Sequence, residues 1–285
     1  MMRIDSADVF LKMDCLLGEG PCWNARTSEL SWVDIKTGTL YRLSPSGERR
    51  ALQTGQYLGA AIPTESGRFI GCMTTGIYML GDDEVIEKLD SPEGMTIHQR
   101  FNDAKCDPRG RLFAGTMALF PRYMPEGGAL YRYAGGRAEK LPFDVILSNG
   151  LAWSNDGRTM YFNDTPLRRV DAFDYDPEDG SLSNRREAFG VDGAPDGMTI
   201  DAEGKLWVAV WGAGEVRRYD PETGEIMQVV KVPAKFSSSC CFGGSDLKTL
   251  FITTAGEGDT SPLAGSVFAF EPGVQGTETV LYNDL

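Results

Sequence analysis

The feature that most constrains the fold of this chain is an internal repeat. Six segments of the 285-residue chain each read as strand, turn, strand, turn, strand. Their starts are 39 to 47 residues apart and lie near Ser28, Gly67, Gly110, Gly157, Gly204 and Leu247. Alternating β-branched and aromatic residues, with Gly, Asp-Pro and Asp-Gly turns at a period of about 40 to 50 residues, are typical of propeller blades. The sequence therefore predicts an all-β fold, a six-bladed β-propeller in which residues 1–285 form a single domain with a central channel.

A strand-like segment also precedes the first repeat. It has the sequence ADVFLKMD and covers residues 7–14. An unpaired strand edge is a liability that closed rings avoid. We therefore expect this segment to add a strand to the last blade and so to close the ring.

A short segment in front of each repeat is the predicted innermost strand, which faces the channel. Counting back eight residues from the five later repeat starts, and nine from the first, selects one residue in each blade. Equivalent positions of blades related by rotation lie on one rung around the channel axis. This rung contains Gly59 and Ser239 together with four acidic or amide residues, Glu19, Asn102, Asn149 and Asp196.

The chemistry of this rung favours a metal ion. Two carboxylates and two amides are costly to bury at one end of a channel without a compensating cation. Oxygen ligands suit hard cations such as Ca²⁺, Mg²⁺ or Mn²⁺, and the lack of His and Cys on the rung disfavours a structural zinc site without excluding zinc or iron. A solvated polar channel in a propeller that only binds partners is the alternative that spacing alone leaves open.

Charge and hydropathy argue against two classes of partner. The chain has 28 Lys and Arg against 41 Asp and Glu, a formal net charge of −13. Binding to nucleic acid or to an anionic membrane requires clustered basic residues, which this sequence lacks, so we expect neither partner. No run of about 18 apolar residues is present, and the acidic residues near the start do not fit a secretory signal, so a cytoplasmic location is expected.

The cysteines and the single histidine narrow the chemistry further. The six cysteines lack zinc-finger spacing and are interpreted as buried free thiols of a reducing compartment. His98 is the only histidine, which argues against a Ser-His-Asp triad. We interpret it as a surface or packing residue near the mouth of the channel.

Five long motifs then carry a resemblance to a known family. They are GEGPCW (residues 18–23), RFNDAKCDPRGRLFAGTM (100–117), LSNGLAWSNDGRTMYFNDT (147–165), PDGMTIDAEGKLWVAVWG (195–212) and CFGGSDLKTLFITTA (241–255). The chain resembles the senescence-marker-protein, regucalcin and gluconolactonase family. This resemblance implies a six-bladed propeller with one essential divalent metal in the channel, Ca²⁺ or Zn²⁺ first and Mg²⁺, Mn²⁺ or Fe²⁺ as alternatives.

The resemblance also implies roles for individual residues. Glu19, Asn149 and Asp196 are the implied metal ligands, and Arg100 and Asn102 the implied sugar contacts. The implied reaction is hydrolysis of a sugar lactone, such as a gluconolactone-like aldonolactone, to an aldonic acid. We assign Asp196 a second role as the catalytic base, with Asp103 as a weaker candidate that could instead cap a turn.

One departure from the family concerns the substrate. Animal members have an acidic pair after the AGTM motif, whereas here Ala118, Leu119, Phe120 and Pro121 follow Met117. We therefore expect an apolar substrate-binding wall at Phe120 or Leu119, which leaves the identity of the sugar open. A metal-dependent organophosphate triesterase and a calcium-binding propeller without catalysis remain alternatives, and the oligomeric state is undetermined.

Overall fold

Six sheets arranged as the blades of a propeller confirm the predicted fold class. The computed structural model describes residues 2–285, apart from the side chains of Pro125 and Glu126. Each predicted repeat, with the short segment in front of it, forms one blade whose first strand lies innermost.

The strands follow one another in chain order. The N-terminal pair is β1 (Arg3–Ser6) and β2 (Asp8–Leu11). Blades 1 and 2 contain β3 (Gly18–Asn24), β4 (Glu29–Asp34), β5 (Thr39–Leu43), β6 (Arg49–Gln53), and β7 (Leu58–Pro63), β8 (Phe69–Met73), β9 (Gly76–Leu80), β10 (Val85–Asp90). Blades 3 and 4 contain β11 (Gln99–Cys106), β12 (Leu112–Ala118), β13 (Leu130–Ala134), β14 (Arg137–Lys140), and β15 (Ser148–Trp153), β16 (Thr159–Asp164), β17 (Arg169–Tyr175), β18 (Leu182–Gly190). Blades 5 and 6 contain β19 (Ala194–Ile200), β20 (Leu206–Trp211), β21 (Glu215–Tyr219), β22 (Ile226–Lys231), and β23 (Phe236–Gly243), β24 (Thr249–Ala255), β25 (Val267–Phe270). Two 3₁₀ helices cover Pro121–Glu126 and Thr165–Leu167.

The N-terminal segment closes the ring, as predicted. Strand β2 pairs antiparallel with β25 and completes blade 6, whose other strands come from the end of the chain. Strand β1 adds a parallel fifth strand to blade 5 through β22, a pairing that the sequence did not indicate. The first residues of the chain therefore join the last two blades.

The repeat starts identified in the sequence are all turn residues with left-handed backbone conformation. Their φ angles are +53°, +87°, +79°, +65°, +75° and +54° at Ser28, Gly67, Gly110, Gly157, Gly204 and Leu247. Each turn joins the first and second strands of its blade. Glycine adopts this conformation at no steric cost, which explains why four of the six positions are Gly.

Apolar side chains fill the interfaces between blades. Six buried clusters are present among the described residues, one for each pair of neighbouring blades. Between blades 5 and 6, for example, the rings of Trp207 and Phe242 meet edge to face with centroids 5.8 Å apart. All six cysteines are free and buried, as predicted. No helix formed by residues 2–285 is long and apolar enough to cross a membrane.

The two ends of the channel differ. The innermost strands begin at the end that we call the mouth and finish at the end that we call the rear. Residues 275–283, the rear strap, cross the rear end. The Gly276 N–H donates a 2.8 Å hydrogen bond to the carbonyl of Leu247 in the β23–β24 turn. At the other end of the strap, the Tyr282 N–H donates to the Pro63 carbonyl at 2.9 Å and the Asn283 N–H donates to the Gly110 carbonyl at 3.0 Å. The strap therefore connects blade 6 with blades 2 and 3.

Candidate active site

The predicted rung coincides with a ring of β-bulges. In all six innermost strands the pairing with the second strand shifts register at or beside the rung residue, between Glu19 and Cys22, Leu58 and Ala60, Phe101 and Ala104, Ser148 and Leu151, Pro195 and Met198, and Ser237 and Ser239. A bulge places two residues opposite one and redirects a side chain. The bulges provide a physical reason for the inward convergence of the polar side chains.

A chain of hydrogen bonds joins four polar side chains across blades 3 and 4. Arg100 Nη1 donates to Asn102 Oδ1 at 2.7 Å, and Asn102 Nδ2 donates to Asn149 Oδ1 at 2.9 Å. Asn149 Nδ2 in turn donates to Thr165 Oγ1 at 2.8 Å, and that hydroxyl donates to the Pro195 carbonyl of blade 5 at 2.8 Å. Arg100, Asn102 and Asn149 therefore lie together, and each amide has a defined orientation.

Close packing of the innermost strands explains why blade 2 has no polar side chain on the rung. A Cβ atom on Gly59 would lie 2.5 Å from the Phe101 carbonyl oxygen of β11, and one on Gly150 would lie 2.6 Å from the Asp196 carbonyl oxygen. Real Cβ atoms essentially never approach backbone this closely. Glycine at these positions allows neighbouring strands to bring Asn102, Asn149 and Asp196 within reach of one another.

Three buried carboxylates complete the site. Glu19, Asp103 and Asp196 are only 6%, 8% and 5% exposed. Glu19 Oε2 and Asp103 Oδ1 each accept a 2.8 Å hydrogen bond from the N–H of the following residue. Among the ion pairs of residues 2–285, none involves these three carboxylates. The interpretation of Asp103 as a turn cap is wrong, because this residue lies inside β11 at the bulge.

Burial and mutual repulsion dominate the electrostatics of these groups. Burial, and then the charge of Asp103, raises the pKa of Glu19 to about 8. Burial, followed by the charges of Glu19 and Asp103, holds the pKa of Asp196 well above its usual range. Burial also raises the pKa of Asp103. Each of the three groups is thus costly to ionise without a nearby positive charge.

The arginine supplies only part of that positive charge. Burial lowers the pKa of Arg100 to about 10, although the charges of Glu19 and Asp196 act in the opposite direction. Three ionised carboxylates, the Arg100 guanidinium and the Lys105 ammonium, whose charge lowers the pKa of Asp103, would have a formal charge of −1, so the group still favours a bound cation. Carboxylate and amide oxygens are suitable ligands for hard divalent cations.

The amide is essential to this fit. No three His, Cys, Asp or Glu side chains in the described part of the chain are grouped so that they alone could hold a metal ion. The predicted ligands Glu19 and Asp196 therefore need Asn149, whose Oδ1 already accepts one hydrogen bond and has a second lone pair. The donor set fits an oxygen-ligated divalent cation.

Phe120 and His98 lie farther out, at the mouth. Phe120 is 44% exposed and precedes the 3₁₀ helix Pro121–Glu126, and the Arg122 guanidinium lies 5.4 Å from its ring centroid. His98 stacks on Tyr123 with centroids 3.9 Å apart, which agrees with its interpretation as a packing residue. No hydrogen bond or ring contact described for residues 2–285 joins Phe120 to the Arg100–Thr165 chain, and its substrate role stays a prediction.

The family follows from comparison with known proteins. The model of the SMP-30/gluconolactonase/LRE-like region matches residues 17–256, which include all the bulges and buried carboxylates described above. The chain belongs to this family. Within the SMP-30/gluconolactonase/LRE-like family, the Bacillus subtilis protein named "Putative sugar lactone lactonase YvrE" is 38% identical over 277 residues, covering 92% of this chain and 94% of that protein.

Other family members have different names. Regucalcin of Danio rerio is 38% identical over 261 residues, covering 86% of this chain and 87% of its own. A solved structure described as a calcium-binding protein, regucalcin, from Agrobacterium tumefaciens superposes with a TM-score of 0.91 at 27% identity and covers 99% of this chain and 100% of that one. The relatives of this chain therefore include one protein named for lactone hydrolysis and one described as calcium-binding.

Thr165 is a site residue that sequence reasoning missed. It is the last residue of the quoted motif LSNGLAWSNDGRTMYFNDT and follows directly after β16, at the mouth end of blade 4. Its hydroxyl orients the Asn149 amide. The sequence did contain a signal for this role. Thr165 follows the end of the second strand of its blade, and because that strand is antiparallel to the innermost strand, its end lies beside the start of the innermost strand, where the rung residue is.

We expect the metal-free protein to lose stability as the pH rises from 4.5 to about 8. The pKa of Glu19 is about 8 in the folded protein against an ordinary value of 4.5. Between these values the folded state retains a proton that the unfolded state has released, so the free energy of unfolding falls with rising pH. Melting temperatures of metal-free wild type and Glu19→Gln across this range test the expectation, and the wild type should show the steeper decline. Equal pH slopes for the two proteins would contradict it.

Proposed function

We propose that this protein is a divalent-metal-dependent hydrolase that opens sugar lactones, of the gluconolactone type, to aldonic acids. The observation that carries the proposal is the cluster of three buried carboxylates, which form no ion pair with any described side chain, next to Arg100, Asn102 and Asn149 at the mouth of the channel. Membership of a family that includes a protein named as a sugar lactone lactonase supports the same substrate class.

In this proposal Glu19, Asn149 and Asp196 would hold the metal ion. A bound divalent cation would supply Lewis acidity that stabilises negative charge on a lactone carbonyl oxygen. Thr165 and Asn102 keep the Asn149 amide in one orientation. The ring of bulges and the buried β11 strand hold these groups before substrate arrives, so little reorganisation is needed.

The remaining groups act on water and on the sugar. The Asp196 carboxylate accepts the proton of the attacking water as the general base. Arg100 donates hydrogen bonds to substrate oxygens. Asn102 uses both of its N–H groups on the Ser148 carbonyl and on Asn149, so it contacts the sugar through Oδ1, which has a second lone pair to accept a hydrogen bond from a hydroxyl. The Phe120 ring forms the outer wall of the binding site. Asp103, which follows Asn102 at the β11 bulge, is the alternative base.

A substrate panel tests the reaction class. The metal-loaded protein is assayed with five- and six-membered aldonolactones and with phosphotriesters, each at several concentrations. We expect saturable hydrolysis of lactones and a kcat/KM for phosphotriesters that is much lower. Preference for phosphotriesters would support the organophosphate triesterase alternative, and no turnover of either class by a metal-loaded sample would support a calcium-binding propeller without catalysis.

Replacing Arg100 should damage substrate binding more than metal binding. For Arg100→Ala we expect kcat/KM for lactones to fall about ten- to a hundredfold, because a hydrogen bond from a charged donor contributes roughly 1.5 to 3 kcal/mol. Kinetics are measured together with metal content by elemental analysis. Loss of the metal from Arg100→Ala would show that the guanidinium acts as a structural counterion instead.

A carboxylate at the outer wall should change the preferred sugar. For Phe120→Glu we expect a new order of kcat/KM values among lactones that differ in one hydroxyl, because a polar wall discriminates hydroxyl patterns more strongly than an apolar wall. Phe120→Leu, which keeps an apolar side chain, is the control. If Phe120→Glu and Phe120→Leu both retain the parental order, residue 120 does not line the binding site.

A further inference from the structure

A cavity lies at the rear of the channel, on the other side of the bulge ring from the proposed metal ligands. Its volume is about 260 Å³. Gly20 and Asp103 line its inner end, and residues 277–280 of the rear strap line the outside. Its rim includes the exposed residues Pro108, Asn155 and Glu278, so the cavity reaches the surface at the rear face. None of the residues assigned to metal or lactone binding lines this cavity.

The wall of this rear cavity is mainly apolar. Side chains from all parts of the ring contribute, including Ile62, Trp153, Met198, Phe242 and Val280. Four free thiols, those of Cys22, Cys106, Cys240 and Cys241, also line it. Burial raises the pKa of Cys22 to about 11 and that of Cys240 to about 12, so these thiols are neutral and act as small apolar groups.

A lysine ammonium extends across the cavity. Lys105 starts from β11 in blade 3, and its Nζ donates a 2.7 Å hydrogen bond to the Met198 carbonyl of β19 in blade 5. The ammonium therefore passes blade 4 inside the channel and has two further N–H groups to donate. Lys105 takes part in none of the ion pairs found among residues 2–285. The charge of Asp103 acts on Lys105 only from beyond ion-pair distance, and burial raises the pKa of that carboxyl. A partly buried ammonium in an apolar cavity with two N–H groups left to donate favours an anionic ligand.

We propose that this rear cavity binds a small monocarboxylate with an apolar body, its carboxylate on Lys105 and its apolar part against Trp153, Met198 and Val280. Of the other two charged residues of the lining, Glu278 is exposed on the strap, and Asp103, whose charge acts on Lys105, forms no ion pair with it. A dry cavity of about 150 Å³ admits benzene, so a volume of about 260 Å³ suits one ring with a short acid chain. The proposed metal ligands and sugar contacts take no part in this site, which shares only Asp103 with the proposed lactone site and does not depend on lactone hydrolysis.

Binding of 3-phenylpropionate to the metal-loaded protein tests the proposal. Its Kd is measured by calorimetry and by tryptophan fluorescence, with Trp153→Phe showing whether the signal comes from the rear cavity. The neutral isostere 3-phenylpropanamide and the cation 3-phenylpropylammonium are titrated in parallel. We expect the acid to bind at least tenfold more tightly than the amide and the ammonium compound to bind most weakly.

Variants of Lys105 then separate the contribution of its charge to ligand binding from that of its packing. In Lys105→Met the Kd of the acid should rise about ten- to a hundredfold while that of the amide changes little, and Lys105→Arg should retain the preference for the acid. Arg109→Met, which removes an exposed cation near the rim, should leave both Kd values unchanged. The proposal is overturned if wild type shows no saturable response to the acid, if amide or ammonium compound binds as tightly as the acid, or if Lys105→Met retains the wild-type ratio of Kd values.

Discussion

Removal of the divalent metal is expected to reduce lactone hydrolysis to the uncatalysed rate. Two side-chain cations act on the buried carboxylates: Arg100 on Glu19 and Asp196, and Lys105 on Asp103. Lys105 lies on the rear side of the bulge ring, so apart from Arg100 the proposed reaction has no source of positive charge at the substrate carbonyl other than the metal. The protein is dialysed against chelator, its metal content is determined by elemental analysis, and initial rates are recorded before and after addition of Ca²⁺, Zn²⁺, Mg²⁺ or Mn²⁺. Full turnover in a metal-free sample would contradict the proposal.

The same sample gives a readout that does not depend on activity. A ligand that binds only the folded state stabilises it by about 2.7 kcal/mol at a hundredfold excess over its Kd. Adding the divalent metal back to the metal-free protein should therefore raise the melting temperature of wild type and should raise that of Glu19→Gln much less. If metal stabilises both proteins equally, Glu19 is not a ligand, even if the enzyme needs metal for activity.

The second large effect is expected for Asp196→Asn, which should lower kcat by about 10²- to 10⁴-fold, the typical contribution of a general base. The substitution preserves shape and one oxygen ligand but removes the group that accepts a proton from water. The matched control is Asn149→Asp, which changes an amide to a carboxylate at the neighbouring rung position and leaves Asp196 in place. Both variants are compared at saturating metal with measured occupancy.

The comparison between these two variants decides the role of Asp196. We expect the loss in kcat to be larger for Asp196→Asn, because Asp196 is assigned two roles and Asn149 only one. Equal losses would remove the case for Asp196 as the base. A normal kcat in Asp196→Asn together with a large loss in Asp103→Asn would assign the base to Asp103, which lies at the bulge of β11 in blade 3.

Much of the architecture was predictable because a propeller is built from local repeats. The period of the turns identified six blades, and the closing role of residues 7–14 followed from the need to pair the last edge. Counting back from the turns located the rung with Glu19, Asn102, Asn149 and Asp196, since each innermost strand has nearly the same length. These are short-range properties, determined by a few neighbouring residues in each blade.

Other features depend on how close separate blades approach, which no single segment encodes. Contacts between blades determine the hydrogen bond from Asn102 to Asn149, the attachment of the rear strap and the reach of the Lys105 ammonium from blade 3 to blade 5. The bulge at every rung position, the place of Asp103 inside a strand and the hydrogen bond that Asn149 donates to Thr165 depend on how two strands of one blade pair. The sequence alone determined the kinds of side chain that line the channel. Only the packing of six blades around one axis decided their separations and hydrogen-bond partners, because these depend on distances between residues that are far apart in the chain.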